Sequence, residues 1–308
     1  MRRWKGLIAL GLILAVGVPA MGDFVLSLGP HKGKFESLGS FFRGGVPLPN
    51  PGGAFVPINV GDELRNIANI TTMSKDFLGA PPEFTGDPNV EQLTGLVWDL
   101  EPLQNYGAPG LTRIELGDRT PRNPVQGAPP LTGGVLRLYQ DVGTVSPLTD
   151  LGPAAWIPGA TPATEAYPSV NTSGESCWLE AVFIPFPGAT LTFPGQALLV
   201  ETVSIGASER GEGAAYLMVT GGSYAPFVGV GSQNATYIAE GGFMGGGGLP
   251  AGITADIRLD FDLYPNASGA PPWGVAIEDP FRFAVVPEPA TLSLLALGAL
   301  TLLRRKRK

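Results

Sequence analysis

The sequence predicts an all-β protein: an antiparallel β-sandwich or jelly-roll-like body, flanked by an N-terminal signal helix and a short C-terminal transmembrane helix. Three observations carry this reading. Short runs of Val, Ile, Leu, Thr and Phe recur along the chain and are separated by Gly and Pro, as strands are by turns. One run, 253–264, alternates Ile257, Leu259, Phe261 and Leu263 with Asp256, Arg258, Asp260 and Asp262. That is the period of two expected of a strand with one solvated face. No amphipathic helical window of comparable strength occurs, although 62–69 is a candidate for one short helix.

The strand-like runs are 93–100, 134–142, 177–186, 197–205, 214–220, 235–243, 253–264 and 281–286. Many short strands with Gly/Pro turns imply a sandwich or jelly roll. Gly245 and the three glycines after it, followed by Leu249-Pro250-Ala251-Gly252, read as a connection between two strands. The Pro- and Gly-rich stretches 119–134 and 152–174 are either domain boundaries or long surface loops. The favoured reading is one large domain over 23–285, and no repeat of fixed period is found.

Composition agrees with a packed body. Of 308 residues, 44% are hydrophobic and 15% charged, which is apolar enough for a sizeable core. The 44 Gly and 31 Pro together fall just under the share typical of low-complexity chains. The net charge of −7 understates the body. Arg2, Arg3, Lys5 and the five basic residues 304–308 lie in the two ends, with Glu288. Setting them aside leaves 12 basic and 26 acidic residues, a net charge of −14. So acidic a body argues against nucleic acid, which requires clustered Lys and Arg.

Candidate chemistry in the body is sparse. Cys177, the only cysteine, sits in an apolar strand-like run and reads as a buried thiol; the only histidine, His31, lies in a Gly- and Lys-rich stretch far from it in sequence. Asp256, Asp260 and Asp262 share one strand face with Arg258. Same-face neighbours stand ~6.6 Å apart, too far for one Ca²⁺ without a second segment. The plainer reading is a solvated strand face. Trp98-Asp99-Leu100-Glu101 invites a glycosidase-like carboxylate reading, but sequence cannot pair two acids across a sugar. Gly229-Val230-Gly231 lacks the third glycine and the βαβ context of a dinucleotide site. Trp156, Trp178 and Trp273, with Tyr139, Tyr167, Tyr224 and Tyr264, would serve either as core or as a sugar-stacking platform. Asn69, Asn171, Asn234 and Asn266 begin Asn-x-Ser/Thr triplets, which mark expected surface turns. No metal-ligand spacing, nucleophile elbow or P-loop occurs, and no cofactor is expected.

The two ends are more specific. Met1-Arg2-Arg3-Trp4-Lys5 is a positive leader, 6–18 is an apolar run of signal-peptide length, and Ala20 and Gly22 are small residues spaced for a signal peptidase. The expected signal peptide is 1–22, with Asp23 as the mature N-terminus. At the other end Val286-Pro287-Glu288-Pro289 precedes an apolar stretch, 290–303, and then Arg304-Arg305-Lys306-Arg307-Lys308. Fourteen residues make ~21 Å of helix, short for a ~30 Å hydrocarbon core. Such a span would need thinning, snorkelling or help from Val285 and Val286, and the basic end would stay cytoplasmic.

A Pro-Glu-Pro triplet, an apolar helix and a terminal basic cluster in that order resemble the PEP-CTERM sorting signal. The same segment is also catalogued as an ice-binding protein C-terminal domain. The resemblance covers 286–308. It implies recognition of Pro287, Glu288 and Pro289 by an exosortase-like membrane peptidase, in systems that travel with exopolysaccharide production. On that reading the protein is not an enzyme. It is exported, held transiently in the membrane, then released to the cell surface or matrix. The alternative is a secreted carbohydrate-binding or carbohydrate-active protein with the same tail. Ice binding would want a flat, repeated Thr array, and Thr190-Leu191-Thr192 stands alone.

Overall fold

The computed structural model describes residues 26–48, 61–87, 91–102, 113–118, 134–142, 152–158, 164–170, 172, 177–183, 196–202, 211–233, 255–265 and 275–287. These hold β1 (Gly29–Arg43), β2 (Val46–Pro47), β3 (Glu63–Lys75), β4 (Pro82–Thr85), β5 (Glu91–Pro102), β6 (Arg113–Asp118), β7 (Val135–Val142), β8 (Cys177–Phe183), β9 (Gln196–Thr202), β10 (Gly211–Gly221), β11 (Ile257–Pro265) and β12 (Val275–Val285). Every pairing between them is antiparallel.

Eight of the strands close a ring in the order β1-β12-β11-β10-β8-β7-β5-β3. The body is therefore a closed barrel and not the two-sheet sandwich expected. Closure depends on β1, which pairs with β12 along one edge and β3 along the other. It leaves the ring without free edges, the usual hazard of an open sheet. A second bridge, β6 with β9, joins the end of β5 to the start of β10. β4 is not one of the eight; it pairs with the end of β3, and its Phe84 packs in the interior cluster.

Within 255–259, where side chains are described, the apolar row anticipated for 253–264 faces inward: Ile257 and Leu259 are buried in the interior cluster. Asp256 and Arg258, however, are also buried, so this part of the charged face is not solvated as expected. Side chains of Asp260 and Asp262 lie outside the described residues. The interior is otherwise filled by Phe35, Ile70, Met73, Leu93, Leu138, Leu179, Leu217, Phe281 and Phe283. Gly95 on β5 leaves no room for a side chain: a Cβ there would lie 2.8 Å from the Arg137 carbonyl oxygen on β7.

Residues 62–69 are not helical; all but the first belong to β3. Their spacing looks helical because both faces of β3 are buried. Leu64, Ala68 and Ile70 pack in the interior cluster, while Ile67 packs in a second cluster with Phe42, Leu96, Trp98, Val135, Tyr139, Trp156, Tyr167 and Val170. This second cluster lies on the outer barrel face under a strap formed by 152–158 and 164–170. The strap is pinned to itself by an Ile157–Ala166 bridge. Residues 152–158 and 164–170 therefore contribute a packed cover over the barrel wall.

An irregularity in β5 keeps both clusters supplied. Asp99 takes φ +60°, and the β3–β5 register shifts between Leu64 and Asn66. Asp tolerates this left-handed conformation better than most residues. The shift lets Trp98 pack outside while Leu100 packs inside.

Candidate functional site

The end of β12 is where the described fold meets the Pro-Glu-Pro segment. Phe281, Phe283 and Val285 are buried inside the barrel. Val285 pairs with Gly29 of β1 and bridges to Val228. The next residue is still held: the Val286 amide donates to the Phe227 carbonyl at 2.8 Å. Pro287 then has no N–H to donate, so it cannot extend the ladder. Val285 and Val286 are thus part of the folded barrel, and the idea that they lengthen the membrane span fails while the barrel is folded. Glu288, Pro289 and 290–308 lie outside the described residues, as do Ala20, Gly22 and the rest of 1–25.

The first described residues lie beside the last. Because Gly29 faces Val285, Leu26 and Ser27 enter at the barrel end from which Pro287 leaves. We term this the exit end. Segment 222–233 crosses its mouth. Gly222, at φ +95°, turns the chain where a Cβ would sit 2.5 Å from Leu179 Cα. Tyr224 N–H then donates to the Trp178 carbonyl at 2.8 Å, and Gly229 N–H to Ala284 at 2.8 Å. Tyr224 stacks on Trp178 with ring centroids 4.5 Å apart, and Phe227 closes over the interior. Asp256 holds the far side, accepting from Val219 N–H at 2.9 Å and Gly231 N–H at 2.7 Å. Burial pushes its carboxyl up, against those two hydrogen bonds.

His31 sits at the same end, fully buried and stacked on Phe283 at 5.7 Å. Its Nδ1 lies 2.9 Å from the Gly29 carbonyl and its Nε2 2.9 Å from Glu83 Oε2. Both partners are acceptors, so making both bonds requires a proton on each nitrogen. Glu83 also accepts from the Ser27 amide at 2.8 Å and from its hydroxyl. Partial burial would raise the Glu83 carboxyl, but the bonds from Ser27 and His31 outweigh it and bring it down to about 2. Ser27 and His31 both point to the carboxylate rather than to each other, so this is a latch for the N-terminal segment and lacks a Ser–His nucleophile pair.

The remaining candidates are scattered. Trp98, Trp156, Trp178, Tyr139 and Tyr167 are each at most 5% exposed and belong to the two clusters. Trp273, and the side chains of Tyr264 and Glu101, lie outside the described residues. Cys177 is half-buried, less enclosed than expected; burial raises its thiol, with Glu180 adding and Arg137 opposing. Gly229-Val230-Gly231 is the turn held by Asp256 and has no phosphate-cradle geometry. Asn69 lies within β3 and not in a surface turn; Asn171, Asn234, Asn266, Thr190 and Thr192 lie outside the described residues. Among the described residues no group of three or more His, Cys, Asp or Glu could hold a metal, and no helix is long and apolar enough to cross a membrane.

Sequence reasoning found the triplet but missed the hold on Val286 and the segment that closes the exit end. Tyr224-Ala225-Pro226-Phe227 carries aromatic residues around a proline, a signal of a packed turn that is visible only once its neighbours are known. Residues 285–308 match the family of the PEP-CTERM protein-sorting motif. No curated protein and no solved structure matches the chain. The chain therefore ends in a protein-sorting motif directed to the cell surface.

Proposed function

We propose that this is a non-enzymatic surface or matrix protein, exported through a signal peptide over 1–22 and released from the membrane by an exosortase-like peptidase acting at its tail. The observation that carries it is the position of the motif. Among the described residues the last backbone hydrogen bond to the barrel is made by Val286, and Pro287, which has no N–H, follows at once. A peptidase gripping Pro287, Glu288 and Pro289 would act just after the end of β12 in the chain, and cleavage there would leave β12 in place. The apolar stretch 290–303 serves as a transient anchor, held by its basic end.

A non-catalytic body is supported by where the reactive groups sit. The sole histidine is locked inside the barrel, and the thiol is held up by burial. The buried aromatics favour this reading over a carbohydrate-binding module built on exposed rings. Exopolysaccharide remains a partner suggested by the sorting system rather than by any surface of the barrel.

The test is the intact mass of protein recovered from the cell surface and medium of an exosortase-bearing host. The expected product runs from Asp23 to a residue within 287–289. Substituting Glu288→Ala together with Pro289→Ala should leave the tail attached. Wild-type protein that keeps 290–308 at the surface would overturn the release step and leave an anchored protein.

A further inference from the structure

Among the described residues, seven large apolar side chains are exposed, and four of them belong to one end of the barrel: Leu28 at 58%, Phe77 at 59%, Leu78 at 99% and Val230 at 80%. Leu28 precedes β1. Phe77 and Leu78 form the tip of the turn leaving β3. Val230 sits in the turn that the Asp256 carboxylate holds beside β12. Since β3, β1, β12 and β11 are consecutive in the ring, these four residues occupy one arc of the exit end. Backbone bonds fix them: Asp76 N–H donates to Pro30 at 3.0 Å, and Phe77 N–H to Lys75 at 2.9 Å. Single exposed apolar residues are ordinary, but a group at one end marks a contact surface.

We propose that this rim rests on the lipid bilayer while the tail is inserted. The inference builds on the reading of 290–303 as a membrane segment. Its geometry follows from the tether. Val286 is fixed to the barrel, and the four residues to Ala290 span at most ~14 Å when extended. The exit end therefore cannot move further than that from the bilayer surface. The leader before cleavage also joins the chain here, because Leu26 and Val286 flank the same Gly29–Val285 pair. With both hydrophobic ends of the precursor leaving from one end of the barrel, that end faces the membrane and its apolar rim meets lipid. The body's acidity makes apolar insertion, rather than attraction to anionic headgroups, the source of the contact.

The full chain, reconstituted into phosphatidylcholine vesicles, tests this. A spin label is placed by Leu78→Cys in a Cys177→Ala background, with Val46→Cys at the opposite barrel end as the aqueous control and Leu297→Cys as the tail marker. Collision with oxygen, which concentrates in lipid, is compared with collision with a water-soluble nickel complex. The expected oxygen-to-nickel ratio is several-fold higher at 78 than at 46, and highest at 297. A water-like ratio at 78 with a lipid-like one at 297 overturns the rim contact and leaves the membrane tail standing. Shielding of 78 from both reagents also overturns it, since protein would then cover the rim. A water-like ratio at 297 overturns both readings.

Discussion

The inside of the barrel and its strapped outer face are both buried, yet they are built differently. The interior is a continuous apolar cluster in which Phe283 lies 5.0 Å from Phe281, 5.7 Å from His31 and 6.4 Å from Trp178, ring centre to ring centre. The outer cluster surrounds an ion network. Arg65, 1% exposed, pairs with Glu63 at 2.6 Å and lies 4.0 Å from Glu165 on the strap. Its guanidinium covers the Phe42 ring at 4.4 Å and the Trp156 ring at 5.6 Å. The Trp156 indole N–H donates to Glu165, and Asp99 N–H to Glu63 at 3.3 Å. Apolar packing rewards any good fit of volume, whereas a buried ion network rewards one arrangement and penalises the rest. The interior thus supplies cohesion, and the network fixes where the strap lies.

Truncating the interior should have the largest effect. Phe283→Ala is expected to lower global stability by ~3–5 kcal/mol, read from denaturant unfolding. A loss below ~1 kcal/mol would mean that the interior repacks, which a close-packed barrel does not allow. Arg65→Leu comes next. It deprives two buried carboxylates of their guanidinium, for a loss of ~3 kcal/mol. Hydrogen exchange should show the strap amides of 155–157, 166, 167, 169 and 170 opening first while β12 stays protected, a pattern Phe283→Ala should not give. Replacing Arg65, Glu63 and Glu165 together by Met, Leu and Leu should recover most of that loss. The smallest effect belongs to Glu83. Its carboxyl ordinarily titrates near 4.5 and falls to about 2 in the fold. A depressed carboxyl adds stability that is complete above pH 4.5 and is lost as the pH falls toward 2. Glu83→Gln should flatten that acid limb by ~1 kcal/mol after solvent screening. An unchanged limb would leave the latch on Ser27 and His31 without energetic weight.

The strands that sequence revealed best are those rich in Val, Leu, Ile and aromatic residues between Gly and Pro. β5, β7, β8, β9, β10 and β11 each fall within a few residues of an expected run, and only β11 announces itself by alternation. β1 and β3 escaped for opposite reasons. In β1 the inward row includes His31, Gly33, Ser37 and Gly39, so little apolar signal survives. In β3 both faces are buried, and Leu64, Ile67 and Ala68 fall at helical spacing. Barrel closure was not legible, because period-two patterning shows which face is inward and says nothing of which edges meet. The sorting triplet was legible because its specificity lies in order and position along the chain. The exit end was not, since Leu26, Phe77, Val230 and Val286 come together only through the β1–β12 and β1–β3 pairings.

The Gly29–Val285 seam also sets an order of events. Its partners are 256 positions apart in the chain, about as non-local a contact as 308 residues allow, and such contacts form late. If export through the proposed signal peptide accompanies synthesis, β1 leaves the cell before β12 has been made. Until then β1 carries one unpaired edge, open to wrong partners. On the proposed function, a tail that halts translocation just after Val286 would deliver the missing strand to the outer side and hold it there. Membrane arrest would then precede barrel closure, and the proposed cut beyond Pro287 would release a molecule whose last seam has had time to form.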